Sequence, residues 1–298
     1  MTGIICLDKP RDMTSFMAVK KASRLLGVKK AGHTGTLDPM ATGVLVVMLG
    51  YSTRFIELLP EHKKSYTARV KLGITTDTLD ITGKILSESP VNVTKEQLLS
   101  VAEDFKGEIL QTPPMYSALK KDGERLYDLA RKGIEIEREQ RKITIEKLEI
   151  YDFNGIEFSM DVTCSAGTYI RSLCDDIGAK LGCGAVMTEL RRTSANGFSI
   201  ENAVTLEELE QFVSENRTDE VITSVETALM SYPEITVTNP QANRFHNGGA
   251  LDYARLHGDY PVGIYRVYSP QRKLLGLGEI KEEKSDLSVR RAAFKLHS

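Results

Sequence analysis

Alternating apolar and polar residues mark two stretches of the chain, and such alternation predicts strands with one buried face. In residues 65–72 the apolar side carries Tyr66, Ala68, Val70 and Leu72. In residues 156–163 it carries Ile156, Phe158, Met160 and Val162. The continuous apolar run from Val44 to Leu49 is rich in β-branched residues and predicts a fully buried strand.

Apolar residues recur at helical spacing in two other stretches. The first predicted helix begins at Thr14 or Ser15, which are good capping residues, and ends at Gly27. Its buried stripe consists of Val19, Ala22 and Leu26. The second helix spans residues 168–181, and its buried stripe consists of Ile170, Leu173, Cys174, Ile177 and Leu181. Between them, Asp122-Gly123 predicts a hairpin turn that leads into a short basic helix.

Strands and helices mix without a regular strand–helix–strand alternation, which favours an α+β fold. We expect a mixed, mainly antiparallel sheet flanked by helices. After residue 232 the chain changes to short apolar runs at 235–239, 261–269 and 274–281, separated by Gly, Pro and Asn. The predicted domains are therefore residues 1–232 and a small β-rich, barrel-like module at 233–298.

Composition narrows the class of protein. The chain has 298 residues, of which 41% are hydrophobic and 27% charged, as expected for a globular protein with two domains. Its longest apolar run is too short to cross a bilayer, and its start lacks the basic flank and apolar core of a secretory signal. Four cysteines and five histidines show no spacing typical of metal ligands. We therefore expect a cytoplasmic protein with reduced, buried thiols, no membrane contact and no metal site.

The net charge of −2 conceals a strong asymmetry. Between Lys9 and Lys30, seven basic residues accompany one acidic residue, whereas residues 201–230 hold eight acidic residues and one basic residue. A second basic stretch, mixed with acidic residues, covers 120–142. Phosphate binding requires a local positive surface rather than a basic protein, so a nucleic acid is a candidate partner. The alternative interpretation of each stretch is a solvated charged face.

The stretch AGHTGTLDPMATG, which begins at residue 31, surrounds one carboxylate with small residues and turn formers. Pro39 restricts Asp38 to an extended backbone. Gly32, Gly35 and Gly43 allow the backbone to approach other groups closely and leave room for a ligand. Asp38 is therefore either the cap of an Asp-Pro turn or a catalytic acid held beside a bulky substrate.

Arg171 falls in the first turn of the predicted helix 168–181, where the helix dipole disfavours a cation by about 0.3–1 kcal/mol. A cation in this position requires a carboxylate partner. Asp175, four residues further along the same helix, is one candidate. Asp38, held in a bidentate pair, is the other.

Two further groups receive structural interpretations from the pattern alone. Tyr66 points to the apolar side of its strand and is interpreted as a core tyrosine, whose phenol needs a partner if it is buried. Asp77 and Asp80 lie in GITTDTLDITG, where the many Thr and Gly residues are typical of a turn between strands. None of these groups is assigned to catalysis from its local sequence.

In combination, several segments occur in the order found in bacterial tRNA pseudouridine synthases of the TruB type. They are KPRDMTSF, KAGHTGTLDPMATGVL, KSYTARVKLG with TDTLDITG, PPMYSALKKDGERLYDLAR, SAGTYIRSLCDDIG and LRRTSANGF. This resemblance covers about residues 3–230, and the tail resembles, more weakly, the PUA-like RNA-binding module that ends such enzymes. The chain departs from the family at Asp12, where glycine is usual, so the conformation of that turn stays open.

The resemblance implies a pseudouridine synthase fold and a specific activity. The family isomerises the uridine at nucleotide 55, in the TΨC arm of tRNA, to pseudouridine without a cofactor or a guide RNA. We expect a monomer that extrudes the target base from its stack and closes over the RNA with an insert near residues 117–142.

The resemblance also implies roles for individual residues. Asp38 is expected to be the catalytic aspartate, Arg171 its partner, and Tyr66 the residue that stacks near the target base. The carboxylate either adds to the sugar or stabilises its positive charge, and in a glycal-type route Tyr66 accepts a proton. The expected substrate contacts are His33 in the space left by the base, Tyr169 and Leu190 in the pocket wall, and Lys9, Lys20, Lys21 and Arg24 on the RNA.

Two other functions are weighed against this one. A nucleoside or glycoside hydrolase also breaks a glycosidic bond, but this chemistry usually needs two carboxylates at a set separation. Only Asp38 lies in a constrained motif. A non-catalytic RNA-binding or RNA-folding protein, by contrast, needs only the basic surfaces and the tail. Retained RNA binding with loss of isomerisation in Asp38→Asn distinguishes an enzyme from such a protein.

Overall fold

The computed structural model describes residues 1–60, 62–121, 123–283 and 285–292. The helices are α1 (Ser15–Leu25), α2 (Lys95–Glu103), α3 (Leu126–Arg131), α4 (Ile170–Leu181), α5 (Leu206–Ser214), α6 (Val225–Ala228) and α7 (Asn239–His246). Short 3₁₀ turns cover Gly50–Leu58, Ile200–Asn202, Thr218–Glu220 and Tyr253–Arg255.

The strands before residue 200 are β1 (Gly3–Lys9), β2 (Ala31–His33), β3 (Thr42–Leu49), β4 (Lys64–Leu72), β5 (Ile74–Thr76), β6 (Ile85–Glu88), β7 (Gly107–Gln111), β8 (Lys120–Lys121), β9 (Glu124–Arg125), β10 (Arg141–Tyr151), β11 (Glu157–Cys164), β12 (Ala185–Ala195) and β13 (Phe198–Ser199). The later strands are β14 (Ile222–Thr223), β15 (Glu234–Thr236), β16 (Leu251–Asp252), β17 (Gly263–Tyr268), β18 (Leu274–Ile280) and β19 (Asp286–Ala292).

Ten of the described strands form one sheet. Its order is β14-β1-β3-β12-β4-β11-β10-β7, with β2 added beside β3 and β13 beside β12. Every pairing in this sheet is antiparallel except the short parallel contact of β12 with β3. The predicted α+β class and the mixed, mainly antiparallel sheet are therefore confirmed.

Four helices pack against one face of this sheet, because the pairings of Gly43 with Lys9 and Arg192, and of Arg192 with Tyr66, place both helix-covered cores on the same side. Helices α1 and α5 pack against β1 and β3 through Ala18, Ala22 and Leu209. Helices α2 and α4 pack against the neighbouring strands through Leu98 and Leu173. The apolar stripes therefore bury themselves on the sheet, as their helical spacing requires.

The sequence places the ends of α1 and α4 well and misplaces one strand residue. Thr14 caps α1 by accepting a hydrogen bond from the Met17 N–H, and Gly27 follows the helix with a φ of +64°. Ile156 was expected to be buried, but it is 51% exposed. The reason is that Ile156 lies one residue before β11, in a turn that also contains Gly155 at a φ of +100°.

The C-terminal residues form a second, five-stranded sheet with the order β15-β17-β18-β19-β16, and α7 packs against it. The three predicted strands correspond to β15, β17 and β18, whereas α7, β16 and β19 were not anticipated. Tyr268, Leu274 and Leu277 of this sheet share a core with Phe55 and Leu59 of the preceding part of the chain. The boundary near Pro233 stays a prediction.

Three smaller expectations concern the insert, the thiols and the membrane. Strands β8 and β9 pair and lead into α3, as expected, although Asp122 lies outside the described residues. All four cysteines are buried and none is in a disulfide, in agreement with the expected reduced, buried thiols. Within the described ranges, no helix is long and apolar enough to span a bilayer.

Candidate active site

The Asp38 loop, residues 34–41, connects β2 to β3 and is anchored to the start of α1. The Ser15 hydroxyl accepts a hydrogen bond from the Leu37 N–H at 2.8 Å and donates one to the Leu37 carbonyl at 3.0 Å. A turn closes when the Ala41 N–H donates to the Asp38 carbonyl. Asp38 is therefore presented from a loop that is fixed on both sides.

Lys9 lies beneath this loop rather than at the surface. Its side chain is fully buried, and its ammonium donates to the carbonyls of Pro10, Met13 and Pro39 at 2.8, 2.7 and 3.3 Å. Burial lowers its pKa to about 8, opposed by the charges of Asp38 and Asp12. The expectation that Lys9 contacts RNA does not agree with this position, because its donors are already used to hold the loop.

The unusual Asp12 adopts a left-handed backbone conformation, with a φ of +61°. Its N–H donates to the Pro39 carbonyl at 2.8 Å, which ties this turn to the Asp38 loop. Glycine reaches such a φ without strain, and aspartate tolerates it better than most residues. Aspartate therefore adopts the left-handed conformation of this turn at the position where the family usually has glycine.

Arg171 forms a bidentate pair with Asp38. Its Nε lies 2.9 Å from Asp38 Oδ2, and its Nη2 donates to Asp38 Oδ1 at 3.3 Å. The same guanidinium donates to the carbonyls of Thr78 and Tyr116, both at 2.8 Å. Of the two partners that the sequence left open for Arg171, the structure has Asp38 rather than Asp175.

A second carboxylate reaches the same guanidinium from the interior. Asp80 Oδ2 lies 3.9 Å from Arg171 Nε, and the Asp80 side chain is 7% exposed, compared with 35% for Asp38. Asp80 Oδ1 accepts hydrogen bonds from Thr78 Oγ1 and from the N–H and Oγ1 of Thr82. Asp80 is therefore occupied by protein donors, and Asp38 is the member of the pair that a substrate can reach.

The charge of Asp38 acts on Tyr66 and Tyr169, and Leu190 shares a hydrophobic core with Tyr66 and Leu37. Tyr66 and Leu190 are buried, and Tyr169 is half-buried and immediately precedes α4. Burial raises the pKa of both phenols, and the charge of Asp38 raises each further. The charge of Arg192 and a hydrogen bond from its side chain lower the pKa of Tyr66 and so oppose this rise.

His33, at the end of β2, has a buried Nδ1 without a hydrogen-bond partner among the described residues. Burial lowers its pKa, and the charges of Arg192 and Lys64 lower it further. The imidazole is therefore neutral near pH 7 and keeps one ring nitrogen available.

The glycines of the loop region meet protein atoms rather than open space. Gly43 has a φ of +101°, and a Cβ there would collide with the Arg192 carbonyl. A Cβ on Gly35 would lie 2.9 Å from Lys64 Nζ, and one on Gly32 would lie 3.1 Å from Ile56. The expectation that these glycines let the backbone approach other protein groups closely is therefore confirmed. The expectation that they leave space for a ligand is not, because protein atoms fill that space.

The basic face of α1 lies at the surface. Lys20, Lys21 and Arg24 are exposed, and Lys21 forms one long ion pair with Glu207 at 3.8 Å. An exposed pair of this kind contributes little to stability, so these charges are free to meet a polyanion. No contact in the structure links these three residues directly to Asp38.

The site brings together the reachable carboxylate of Asp38, its paired arginine and the two tyrosines on which the Asp38 charge acts. Across the described ranges, no group of three or more His, Cys, Asp or Glu side chains has the arrangement of a metal site. Asp80 is the residue that sequence reasoning set aside as a turn. The segment TDTLDITG identified Asp80 as a turn residue, but nothing in the local sequence distinguishes a buried turn carboxylate from an exposed one.

Comparison with known proteins gives consistent matches along the chain. Residues 23–170 match the description "TruB family pseudouridylate synthase (N terminal domain)". Residues 171–230 match "tRNA pseudouridylate synthase B C-terminal domain", and residues 233–291 match "Pseudouridine synthase II TruB, C-terminal".

Individual relatives agree with these matches. The "tRNA pseudouridine synthase B" of Clostridium tetani is 46% identical over 95% of this chain and 97% of its own length. The protein of the same name from Azoarcus sp. is 50% identical over 93% of this chain and 90% of its own length. Among solved structures, a Cbf5-Nop10-Gar1 complex contains a chain with a TM-score of 0.75 and 28% identity, covering 98% of this chain and 85% of that one.

Proposed function

Because this chain belongs to the TruB family of pseudouridylate synthases, we propose that it isomerises the uridine at nucleotide 55, in the TΨC arm of tRNA, to pseudouridine. The observation that carries the proposal is the bidentate contact between Arg171 and the reachable Asp38. The proposed enzyme acts as a cytoplasmic monomer, without a cofactor and without a guide RNA.

The reaction needs one carboxylate beside an extruded nucleotide. The C1′–N1 bond breaks, the released uracil turns, and a C1′–C5 bond forms, while the proton on C5 leaves and N1 gains one. Asp38 adds to C1′ or stabilises its positive charge, and Arg171 holds both carboxylate oxygens in position. No atom is gained or lost overall, so the scheme needs no redox group.

Tyr66 serves as a wall for the base rather than as a proton acceptor in this scheme. Its phenol is buried, and burial raises its pKa, so it is neutral near pH 7. A neutral phenol is a poor base but a good flat surface for a pyrimidine. Tyr169 and Leu190 complete the pocket wall, and the available ring nitrogen of His33 contacts the space that the base leaves.

A hydrolase is less well supported by the same geometry. Glycosidic hydrolysis generally uses two carboxylates that flank the bond. The second carboxylate here, Asp80, is buried and accepts three hydrogen bonds from Thr78 and Thr82. Asp80 contacts Arg171 from the protein interior, on the side away from Asp38's exposed face, and a substrate does not reach it.

Three surfaces are proposed to hold the RNA. The exposed face of α1 provides Lys20, Lys21 and Arg24, whereas Lys9 is assigned to the loop beneath Asp38. The insert at 117–142 contributes a second basic surface and closes over the arm. The PUA-like module at 233–298, the second of the two proposed domains after 1–232, contributes a third.

The proposal is tested by incubating the protein with an unmodified tRNA transcript, in EDTA to remove metal ions and without any guide RNA. Pseudouridine is then located base by base. We expect one pseudouridine, at nucleotide 55, and the same product from an isolated TΨC stem-loop. An anticodon stem-loop serves as the control. Absence of pseudouridine, or its formation at other nucleotides of the transcript, would contradict the proposal.

A further inference from the structure

Side chains from three strands meet beside Gly35, at the start of the Asp38 loop. Lys64 comes from β4, Arg192 from β12 and His33 from β2. Lys64 Nζ and Arg192 Nη1 lie 2.9 and 3.6 Å from the point that a Cβ on Gly35 would occupy. His33 lies two residues before Gly35 at the end of β2; burial lowers its pKa, and the charges of Arg192 and Lys64 lower it further. We call Lys64, Arg192 and His33 the cation cluster.

Within the described part of the chain, the positive charge of the cation cluster is not balanced by a carboxylate of its own. Among the residues that the structure describes, no carboxylate forms an ion pair with Lys64 or Arg192. Arg192 is 1% exposed, and its Nε and Nη2 donate to the carbonyls of Val44 and Gly35 at 2.7 and 3.0 Å. Two neighbouring cations in partly buried surroundings are costly, because each loses solvent and repels the other. A bound anion removes this cost.

Lys64 is the member that can reach a ligand. Its side chain is partly exposed, and its ammonium makes no hydrogen bond to the described residues. His33 adds a buried Nδ1 without a partner. Arg192 donates its hydrogen bonds to carbonyl groups and contributes only its positive charge, from a buried position. The arrangement is that of an anion site with one direct donor, one ring nitrogen and one supporting cation.

The position of Lys64 relative to Tyr66 indicates which anion this is. The two residues are two positions apart on β4, so their side chains leave the same face of the strand about 7 Å apart. A nucleotide whose base lies against Tyr66 carries its phosphates on the sugar attached to that base. A negative group of the substrate is therefore within reach of Lys64 whenever the base is in the pocket.

We propose that the cation cluster binds one backbone phosphate of the RNA, within one nucleotide of the extruded uridine, and that Lys64 is its direct contact. This inference rests on the proposed function, because it takes the RNA and the extruded base from it. The bound phosphate fixes the sugar relative to Asp38. Lys64 thus acts as a substrate-binding residue that is separate from the exposed face of α1.

The alternative is that Lys64 only packs against Gly35. The two possibilities are distinguished by removing the charge from the lysine, from the phosphate, and from both. The variants are Lys64→Gln and Lys64→Arg, with Lys63→Gln as the matched control. Lys63 is adjacent in sequence, but its ammonium pairs with Glu146 at 2.8 Å and its side chain is 55% exposed.

The substrates are TΨC stem-loops in which one linkage near the target is a neutral methylphosphonate. Each carries a 2′-O-methyl group on the preceding sugar and is compared with the same oligonucleotide containing an ordinary phosphate. A methylphosphonate in the distal stem serves as the substrate control. The rate of pseudouridine formation and the KM are measured for every pair of protein and RNA, after equal folding of the variants is verified by circular dichroism.

We expect Lys64→Gln to raise the KM at least tenfold, the size of effect typical of a lost charge-assisted hydrogen bond. Lys64→Arg restores most of this loss, and Lys63→Gln stays within threefold of the wild type. One methylphosphonate near the target raises the KM of the wild type by a similar factor and that of Lys64→Gln by less than twofold. The salt dependence of binding also falls by about one charge in Lys64→Gln.

Additive effects of the lysine and phosphate changes at every tested linkage would overturn the inference, as would a Lys64→Gln variant with an unchanged KM. A variant that loses only turnover would likewise overturn it, because this result assigns Lys64 to the chemical step. Failure of the wild type to form pseudouridine in the unmodified stem-loop is a different result, since it contradicts the proposed function itself.

Discussion

Replacing Arg171 tests whether its contact with Asp38 controls the reaction. The Arg171 side chain is 6% exposed and makes two contacts with Asp38 and two hydrogen bonds with carbonyl groups. In Arg171→Met all four are lost, and the buried Asp80 loses its cation as well. Arg171→Lys keeps the charge but loses the planar fork that holds both carboxylate oxygens.

The magnitude follows from these contacts. Each lost hydrogen bond to a carbonyl costs about 1 kcal/mol, and breaking a buried ion pair costs about 3–5 kcal/mol. Because the Asp38 side chain is 35% exposed, solvent offsets part of the ionic contribution. We therefore expect Arg171→Met to lower the free energy of unfolding by about 4 kcal/mol, about half from the two carbonyl hydrogen bonds and the rest from the partly screened ion pair. A misplaced Asp38 slows the chemical step by roughly 100-fold or more.

The assay is the single-turnover rate of pseudouridine formation with enzyme in excess, together with RNA binding and urea unfolding. Arg171→Met is expected to lose rate while its RNA affinity stays within several-fold, and Arg171→Lys to fall between it and the wild type. Asp175→Asn removes the other candidate partner and should stay within twofold. A rate for Arg171→Met within threefold of the wild type, or an equal loss in Asp175→Asn, would refute the reasoning.

Three further predictions use the same protein. Asp80→Asn should slow the chemical step about tenfold without weakening RNA binding, because it removes the inner charge beside Arg171, and exposed Asp77→Asn is the control. Gly43→Ala should lower the free energy of unfolding by about 3 kcal/mol or more, because of its positive φ and the collision with a carbonyl, whereas Gly27→Ala, which meets no atom within 4 Å, should cost only about 1 kcal/mol in the same urea titration. Burial raises the pKa of Cys6 from 9.0 to about 12, so the folded thiol keeps a proton that the unfolded thiol loses. This contribution to stability is complete below pH 9 and is lost as the pH rises toward 12, and Cys6→Ala should therefore show a shallower fall in unfolding free energy between pH 9 and 11.

Much of the fold was predictable because it depends on local periodicity. The alternation in 65–72 and the helical spacing in 168–181 each reflect one buried face, and the structure has β4 and α4 in these places. Residues at the ends of elements were less predictable. Ile156 continues the alternation of its strand, yet the turn that precedes β11 leaves it in solvent.

The site was predictable only in part, because burial and distant contacts decide its chemistry. The unfavourable position of Arg171 at a helix start indicated the need for a carboxylate, but this local signal left Asp175 and Asp38 as alternatives. Only the family resemblance pointed to Asp38, which the structure places beside Arg171. Lys9 carries no comparable signal, since a lysine in a basic run looks exposed until the loop folds over it. Arg192 lies far along the chain from the loop that it supports, so no spacing in the sequence connects them.

The central claim is that Asp38 alone supplies the carboxylate that isomerises uridine in tRNA. The most direct test is prolonged incubation of Asp38→Asn in molar excess with an unmodified tRNA transcript, followed by quantification of pseudouridine at nucleotide 55. We expect no detectable product, with transcript binding within several-fold of the wild type. Formation of pseudouridine at the wild-type rate would contradict the claim.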